Sequence, residues 1–153
     1  MVAATMFDAM VAGTGLDRVV VQMPAWARLG PQAWAAYSRH ADLGSGLILY
    51  PTLAIGGCVL SIAAAISCAR DGRGAQGGAW PAYVAAVLTL CGLLLTIKAA
   101  PLMLSLRSLG SDSLALQGAF DGFDWWGRWR SAVQFGAFGA NLWSVAVFGP
   151  YRR

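Results

Sequence analysis

The chain of 153 residues is 58% hydrophobic and only 12% charged, with a mean hydropathy of +0.57. Soluble domains carry about 25% charged residues, so this composition argues against a water-soluble domain and indicates a membrane protein. The net charge of +4 comes from scattered arginines, which suits anionic lipid headgroups. It does not indicate a nucleic-acid-binding surface, because that would need basic residues clustered on one face.

The sequence contains no Glu and a single histidine, His40, and this excludes two kinds of metal centre. Carboxylate-bridged di-iron bundles take four Glu and two His from their helices, and bis-histidine haem needs two His within the chain. The cysteines Cys58, Cys68 and Cys91 form no CxxC pair, so we interpret them as small packing residues. We therefore expect neither a metal nor a cofactor.

The first apolar segment, about residues 2–23, carries a polar stripe. At about 100° per residue, Asp8, Gly15, Arg18 and Gln22 fall within one narrow arc, and the remaining surface is mostly apolar. The pattern predicts a transmembrane helix whose stripe faces the interior of a bundle. The alternative is an amphipathic helix lying in the membrane interface. We favour the span, and we expect Pro24 to end the helix.

The stretch 25–45 has the composition of a short interfacial helix. It contains Pro31, basic residues and three aromatic residues, Trp26, Trp34 and Tyr37. Tryptophan and tyrosine are enriched at the level of the lipid headgroups. We therefore expect these three rings to lie at that level.

The second and third apolar segments, residues 46–68 and about 80–100, are the clearest predicted spans. The second covers about 23 residues, or about 34 Å as a helix, against a hydrocarbon core of about 30 Å. Both carry small residues at alternating steps of three and four, which predicts close packing in a left-handed bundle. The small residues are Ala54, Gly57, Ser61, Ala64 and Cys68 in one, and Ala82, Ala85, Thr89, Gly92, Thr96 and Ala99 in the other.

The fourth predicted span, about residues 131–148, carries small residues at every fourth position. This spacing favours a right-handed crossing with a neighbouring helix or with another protein, so Gly136, Ala140 and Ser144 are candidate contacts for a partner or a second copy. The segment FDGFDWWGRWR before it predicts one turn of interfacial helix entering the span, and the polar region 105–129 predicts a short interfacial helix of its own. Its tryptophans belong either to an aromatic belt or to the mouth of a pocket for a flat aromatic molecule.

Together the segments predict an all-α fold, an antiparallel bundle of four transmembrane helices with short Trp-rich interfacial helices. We expect a single domain over residues 1–153, in a multi-pass integral protein of a bacterial-type cell membrane. The positive-inside rule does not choose an orientation, because the counts on the two sides are close. One side would carry Arg70, Arg73, Arg152 and Arg153, and the other Arg28, Arg39, Arg107, Arg128 and Arg130.

Polar residues at membrane depth are the candidates for chemistry, since a charge at the centre of a span costs about 2.5–3.5 kcal/mol on insertion scales. Asp17 and Arg18 lie about 100° apart on a helix and are poor partners for each other. Arg18 is expected to meet Gln134 or Asn141, either as a structural group or in a ligand site. Lys98 is either a snorkelling cation at a helix end or a cation at the mouth of a cavity. The candidate ligand-binding residues are Asp17, Arg18, Gln22, Lys98, Trp126, Trp129, Arg130, Gln134 and Asn141.

Three motifs make the chain similar to the anthrone-oxygenase-like family of small four-span membrane proteins. They are VVVQMP at the end of the first span, KAAPLML after the third, and WWGRWR before the last. The resemblance implies the four-span fold and oxidation of polyketide anthrones to anthraquinones without a metal or flavin. Met103 and the stretch 131–134 stand where the family often has Asn, His and Arg, so the resemblance assigns no catalytic residue here.

Three classes of function follow from these features. In the first, the bundle binds an apolar aromatic or lipid-like molecule, as a possible oxygenase in which Arg18, Lys98 and Arg130 stabilise an enolate. In the second, the chain is a non-catalytic accessory or assembly subunit of a larger membrane complex. A small transporter ranks last, because no pair of half-broken helices is evident in the sequence. Convergence of Arg18, Gln134 and Asn141 on one cavity would favour the first class.

Overall fold

The computed structural model describes residues 1–71 and 78–148, and no strand occurs among them. Three arginines of the orientation count, Arg73, Arg152 and Arg153, lie outside these residues. A π-helical turn connects α1 to α2, and a second π-helical turn connects α3 to α4. Helix α5 is followed by a 3₁₀ turn and α6. The bounds are α1 Val2–Asp17, π turn Arg18–Gln22, α2 Met23–Leu29, α3 Pro31–His40, π turn Ala41–Ser45, α4 Gly46–Arg70, α5 Trp80–Leu104, 3₁₀ turn Ser105–Arg107 and α6 Ser113–Phe148.

Three helical stretches are long and apolar enough to cross a membrane: Pro31–Arg70, Trp80–Arg107 and Ser113–Phe148. Their outer faces agree with such surroundings, because large apolar side chains such as Ile48, Val59 and Val87 are exposed. Extended apolar surfaces of this kind mark contact with a membrane or a partner. The all-helical fold and the membrane-spanning character of these three stretches therefore agree with the sequence.

The long helices pack side by side along the stripes of small residues. Helix α1 packs against α4 and α6, and α5 packs against the same two helices. A Cβ atom on Gly57 would lie 2.6 Å from Oδ1 of Asp8, so α1 and α4 approach each other at this glycine. Most of the predicted small positions of α4 and α5 are buried, which confirms their role in close packing. The buried members are Gly57, Ser61, Ala64 and Cys68 in α4, and Ala82, Ala85, Thr89, Gly92 and Ala99 in α5.

The prediction that Pro24 ends the first helix is wrong. The backbone N–H of Met23 bonds to the carbonyl of Arg18 across the π turn, and Pro24 then occupies the first turn of α2. A first-turn position needs no backbone donor, so proline is tolerated there. The chain turns instead at Gly30, whose φ of 93° suits glycine. Helix α5 likewise continues through Pro101 to Leu104.

The last helix is one continuous element of 36 residues rather than an interfacial turn followed by a span. Its length is about 54 Å, well beyond the thickness of a hydrocarbon core. The carboxylate of Asp112 accepts hydrogen bonds from the backbone N–H groups of Leu114 and Ala115 at 3.0 and 3.3 Å, and so caps its start. The prediction of a separate short helix before residue 131 is therefore wrong.

Two of the three aromatic residues of α2 and α3 are buried within the protein. Trp34 is fully buried and packs edge-to-face on Phe120, with ring centroids 5.3 Å apart. Trp26 is also buried, whereas Tyr37 is exposed. The expectation that the three rings lie at the level of the lipid headgroups stays a prediction. The two indoles pack α2 and α3 against α5 and α6.

Candidate ligand-binding cavity

A cavity of about 350 Å³ lies between the long helices, with walls from α1, α4, α5, α6 and both π turns. Ligand pockets typically begin at about 300 Å³ and combine apolar walls with a few polar groups. This cavity has that composition, because apolar side chains such as Leu53, Leu93 and Met103 form most of its wall. The polar lining residues include Arg18, Asp42, Tyr50, Thr96, Arg130 and Gln134.

The strongest polar feature is an ion pair between Arg18 and Asp42. The two residues are only 8% and 4% exposed, and Nη2 of Arg18 donates to Oδ1 of Asp42. The same nitrogen lies 3.4 Å from the hydroxyl of Tyr50. Oδ2 of Asp42 is buried and has no hydrogen-bond partner among the described residues. Arg18 begins the first π turn, an irregularity that recurs at functional sites, and Asp42 lies in the second, which is kinked at Gly44.

Three aromatic rings surround the guanidinium of Arg18. Its central carbon lies 5.4 Å from the ring centroids of Tyr50 and Phe123, and 6.0 Å from that of Trp26. A cation within about 6 Å of an aromatic face is attracted to the electron density of the ring. Arg18 is therefore held by one carboxylate and three aromatic faces, which explains how it remains buried beside an apolar cavity.

A second cation, Arg130, lines the same cavity from α6. Its guanidinium carbon lies 5.9 Å from the ring of Phe123, so one aromatic ring contacts both arginines. Gln134 follows one helical turn later and also lines a small neighbouring space that reaches Asp8. The cavity thus brings two guanidinium groups, one carboxylate and one amide into a mostly apolar space.

A separate polar cluster joins three helices outside the cavity. The amide nitrogen of Asn141 donates to Oδ2 of Asp8 at 2.6 Å and to Oγ of Ser61 at 2.8 Å. Asp8, Ser61 and Asn141 are all buried, and they belong to α1, α4 and α6. Buried side-chain hydrogen bonds of this kind link helices within membranes. The cluster fixes α1 against its two neighbours.

The predicted polar stripe of the first helix faces the protein interior. Asp8, Gly15 and Arg18 are buried, while the apolar side chains of Met6 and Val20 are exposed. This orientation confirms the inward stripe predicted from the sequence. Asp17, by contrast, lies on the exposed side, where Nε2 of Gln22 donates to its carboxylate at 2.5 Å.

Of the predicted site residues, only Arg18, Arg130 and Gln134 meet at the cavity. Arg18 was expected to meet Gln134 or Asn141, but it pairs with Asp42. Asp42 supplies a full negative charge, which the two amides lack. Asn141 belongs to the separate cluster. The other five candidates, Asp17, Gln22, Lys98, Trp126 and Trp129, are not among the residues lining the cavity.

Lys98, Trp126 and Trp129 do not line the cavity, and their predicted positions at a membrane interface stay a prediction. Lys98 is exposed near the end of its span, as a snorkelling cation would be. Trp126 is half-buried and packs on the aromatic cluster around Trp34. Trp129 is exposed and stacks edge-to-face with Trp125, with centroids 6.0 Å apart. These residues are placed away from the cavity wall.

The sequence analysis missed two residues of the cavity, Asp42 and Tyr50. A usable signal for the first was present, since Asp42 is the one acidic residue in the sequence between Arg18 and Asp71. An arginine at membrane depth needs an anion, and this is the acid available nearby along the chain. Nothing in the local sequence pattern identifies Tyr50 as a cavity residue, because it lies in an apolar helix like its neighbours.

The stripe of small residues on α6 contacts the same chain over part of its length. A Cβ atom on Gly136 would lie 3.1 Å from Cδ1 of Leu88 in α5. Ser144 is fully buried and donates to the carbonyl of Ala140 at 2.9 Å. Ser144 therefore faces the same chain, whereas Gly136 is exposed, so contact of the stripe with another protein stays a prediction.

No protein-family model, no curated protein and no solved structure matches this chain. The resemblance to the anthrone-oxygenase-like family therefore stays a prediction drawn from three short motifs. The function is argued below from the cavity and its polar groups.

Proposed function

We propose that the chain is a multi-pass integral membrane protein of four spans that binds an apolar aromatic or lipid-like molecule in the cavity between its helices. The observation that carries this proposal is the convergence of Arg18, Asp42, Arg130 and Gln134 on one apolar space of about 350 Å³. A packed bundle that served only as a scaffold would need neither the space nor two cations beside it. Both features suit recognition of an apolar molecule with a polar group.

The position of α1 supports its assignment as the fourth span. Asp8 in the first half of α1 bonds to Asn141 and lies 3.4 Å from Ser61, and these two residues lie well inside α6 and α4. A helix lying flat in the membrane interface would not place its residues at that depth. Its outer face, with Met6, Met10 and Val21 exposed, is apolar, as contact with lipid requires.

The cavity borders the outer surface of the helices, which suits a ligand dissolved in the bilayer. Leu47, Ile55 and Leu104 line the cavity and are also exposed on the outside of the fold. A molecule partitioned into lipid therefore meets an apolar path to the site between α4 and α5. This arrangement avoids transfer of an apolar ligand through water.

If the site is catalytic, its two arginines supply the chemistry. Fixed cations in a water-poor space stabilise negative charge that develops on a substrate, such as an enolate. Arg18 and Arg130 are placed for this role and Lys98 is not. This narrows the oxygenase-like proposal to two of the three cations first considered. The alternative, an accessory subunit docking through α6, has Gly136 as an exposed small residue in its favour, whereas Ser144 is buried within the same chain.

The first test is purification in a mild detergent followed by native mass spectrometry of the whole chain. We expect a retained small molecule and no obligatory partner subunit. A matched pair of variants on α4 then locates the site: Ala54→Phe fills the cavity, whereas Ala63→Phe adds the same ring on the exposed side. Ala54→Phe should lose the molecule and Ala63→Phe should keep it, with the helical circular dichroism unchanged in both.

Arg18→Leu is a second variant, expected to abolish ligand binding while the helical content is retained. Wild-type protein that retains no molecule and binds no apolar probe would contradict the proposal. A stoichiometric partner subunit without a small molecule would favour the accessory-subunit alternative. Equal ligand retention by Ala54→Phe and Ala63→Phe would place the site elsewhere.

A further inference from the structure

We infer that the ligand of this cavity carries a carboxylate and that Arg130 binds it. This inference rests on the proposed function, because it names the chemical class of the molecule bound at the same site. The class is an amphiphilic acid, with a single chain or a fused-ring body that occupies the apolar part of the cavity. Its negative charge would be held at the end lined by the two arginines.

The argument starts from the charges that face the cavity. They are Arg18, Arg130 and Asp42, with the hydroxyl of Tyr50 beside them. Asp42 forms its ion pair with Arg18, which leaves Arg130 without a carboxylate partner in the described part of the chain. The cavity therefore carries one uncompensated positive charge. Arg130 is half-buried, and a charge removed from water without a partner is costly.

In the described part of the chain no other acid forms an ion pair with Arg130, although Asp124 keeps a buried Oδ1 without a hydrogen-bond partner. Asp124, on the same helix, bonds to the outward-facing Arg128 at 2.7 Å. Asp8, beyond Gln134, accepts the hydrogen bond of Asn141 at 2.6 Å. Neither lines the main cavity. The missing negative charge is therefore not supplied by α1 or α6, and a bound anion is the group that would complete the site.

Arg130 is also held by contacts within the fold. It lies near the middle of α6, and its guanidinium sits over the ring of Phe123 at 5.9 Å. The same ring contacts Arg18, so two like charges are kept near each other beside one apolar space. An anion between them would relieve their repulsion, which a neutral ligand would leave in place.

The geometry of guanidinium favours a carboxylate as that anion. The planar group presents parallel N–H donors that match the two oxygens of a carboxylate. Gln134, one turn further along the same face, adds an amide donor at the cavity wall. The apolar majority of the lining then selects for an acid with a large apolar body.

The test compares two probes that share an apolar body, 1-pyrenebutanoic acid and 1-pyrenebutanol. Binding to the full-length protein in mild detergent is measured at neutral pH, where a carboxylic acid is ionised. Energy transfer from the seven tryptophans to pyrene reports binding, after correction for partition into protein-free micelles. We expect the acid to bind wild-type protein at least about tenfold more tightly than the alcohol, as a buried charge pair would provide.

Variants of two arginines on α6 assign the preference. Arg130→Gln should reduce the ratio of acid to alcohol affinity to about one, and Arg130→Lys should restore part of it. Arg128→Gln is the matched control, since that side chain is exposed and pairs with Asp124 outside the cavity. It should keep the wild-type ratio. If Arg130→Gln does not fold, the wild-type ratio and the Arg130→Lys ratio still decide.

The outcomes separate this inference from the proposed function. Equal affinity of the wild type for acid and alcohol would overturn the carboxylate assignment and leave the proposed function standing. A preference for acid that Arg130→Gln retains would also overturn it. Failure of both probes to bind would contradict the proposed function together with the inference.

Discussion

Replacing Asp42 with asparagine should destabilise the protein strongly, because Arg18 would then be buried without its anion. Removing one partner of a buried ion pair costs about 3–5 kcal/mol. Arg18 would keep the hydroxyl of Tyr50 at 3.4 Å and its three aromatic faces. A cation–π contact is worth about 0.5–2 kcal/mol, so these remaining contacts favour the lower end, about 3 kcal/mol.

The assay is thermal unfolding in a mild detergent, followed by tryptophan fluorescence. For a chain of this length, 1 kcal/mol shifts Tm by about 2–4 °C, so Asp42→Asn should lower Tm by about 6–12 °C. Asp124→Asn is the matched control, because it breaks an exposed ion pair of 2.7 Å with Arg128. Exposed pairs contribute at most about 1 kcal/mol, so this control should shift Tm by less than about 4 °C.

A double variant tests the physical reason for the loss. Arg18→Met combined with Asp42→Leu removes both charges and should recover most of the stability, since apolar replacement of a buried pair is often neutral. The reasoning is refuted if Asp42→Asn is as stable as Asp124→Asn. It is equally refuted if the double variant is no more stable than Asp42→Asn.

Three further substitutions test the packing around the cavity. Asn141→Ala removes the two hydrogen bonds that join α6 to α1 and α4. Each such bond is worth about 0.6 and at most 1.7 kcal/mol, so the free energy of unfolding measured with denaturant should fall by about 1–3 kcal/mol. An unchanged free energy of unfolding would contradict a structural role of Asn141. Gly57→Leu should separate α1 from α4 and speed proteolysis of α1, whereas Gly139→Leu, with nothing within 4 Å of its Cβ position, should not. Trp34→Ala should cost about 3–5 kcal/mol and change the near-ultraviolet circular dichroism, because its ring is fully buried. The exposed Trp125→Ala serves as its control, and equal losses would show that burial does not decide the effect.

The apolar spans were predictable because their signal is local. Helices α4 and α5 contain long uncharged runs, and the three- and four-residue spacing of their small residues already marks the face that packs. The inward orientation of Asp8 and Arg18 was predictable for the same reason, since 100° per residue fixes which side chains share a face. Whether a polar side chain faces inward is thus accessible from sequence alone.

The ends of the helices were less predictable, because they depend on hydrogen-bond register. Pro24 and Pro101 both resemble helix terminators in sequence, yet one follows a π turn and the other lies inside α5. The continuity of α6 through residues 113–148 was missed because Trp and Arg near a membrane surface resemble an interfacial segment. Propensity does not distinguish such a segment from the first half of one long helix.

The members of the site were recognised as polar groups, but their partners were not. Arg18, Arg130 and Gln134 stand out within apolar helices and do meet at the cavity. The carboxylate of Asp42 reaches Arg18 only because the second π turn, with its break at Gly44, carries it back over the cavity. Such a contact between distant segments is a property of the tertiary fold, and no local pattern predicts it.

The two π turns also govern how the chain tolerates changes in length. Each residue of a helix advances the following side chains by about 100°, so deleting one residue from the first turn would rotate everything beyond it by that angle. Deleting one from the second turn would change the angle of the kink at Gly44. Arg18 and Asp42 would then leave their shared contact, although neither had been substituted. Insertions and deletions at these two places are therefore expected to be far more damaging than their small size suggests.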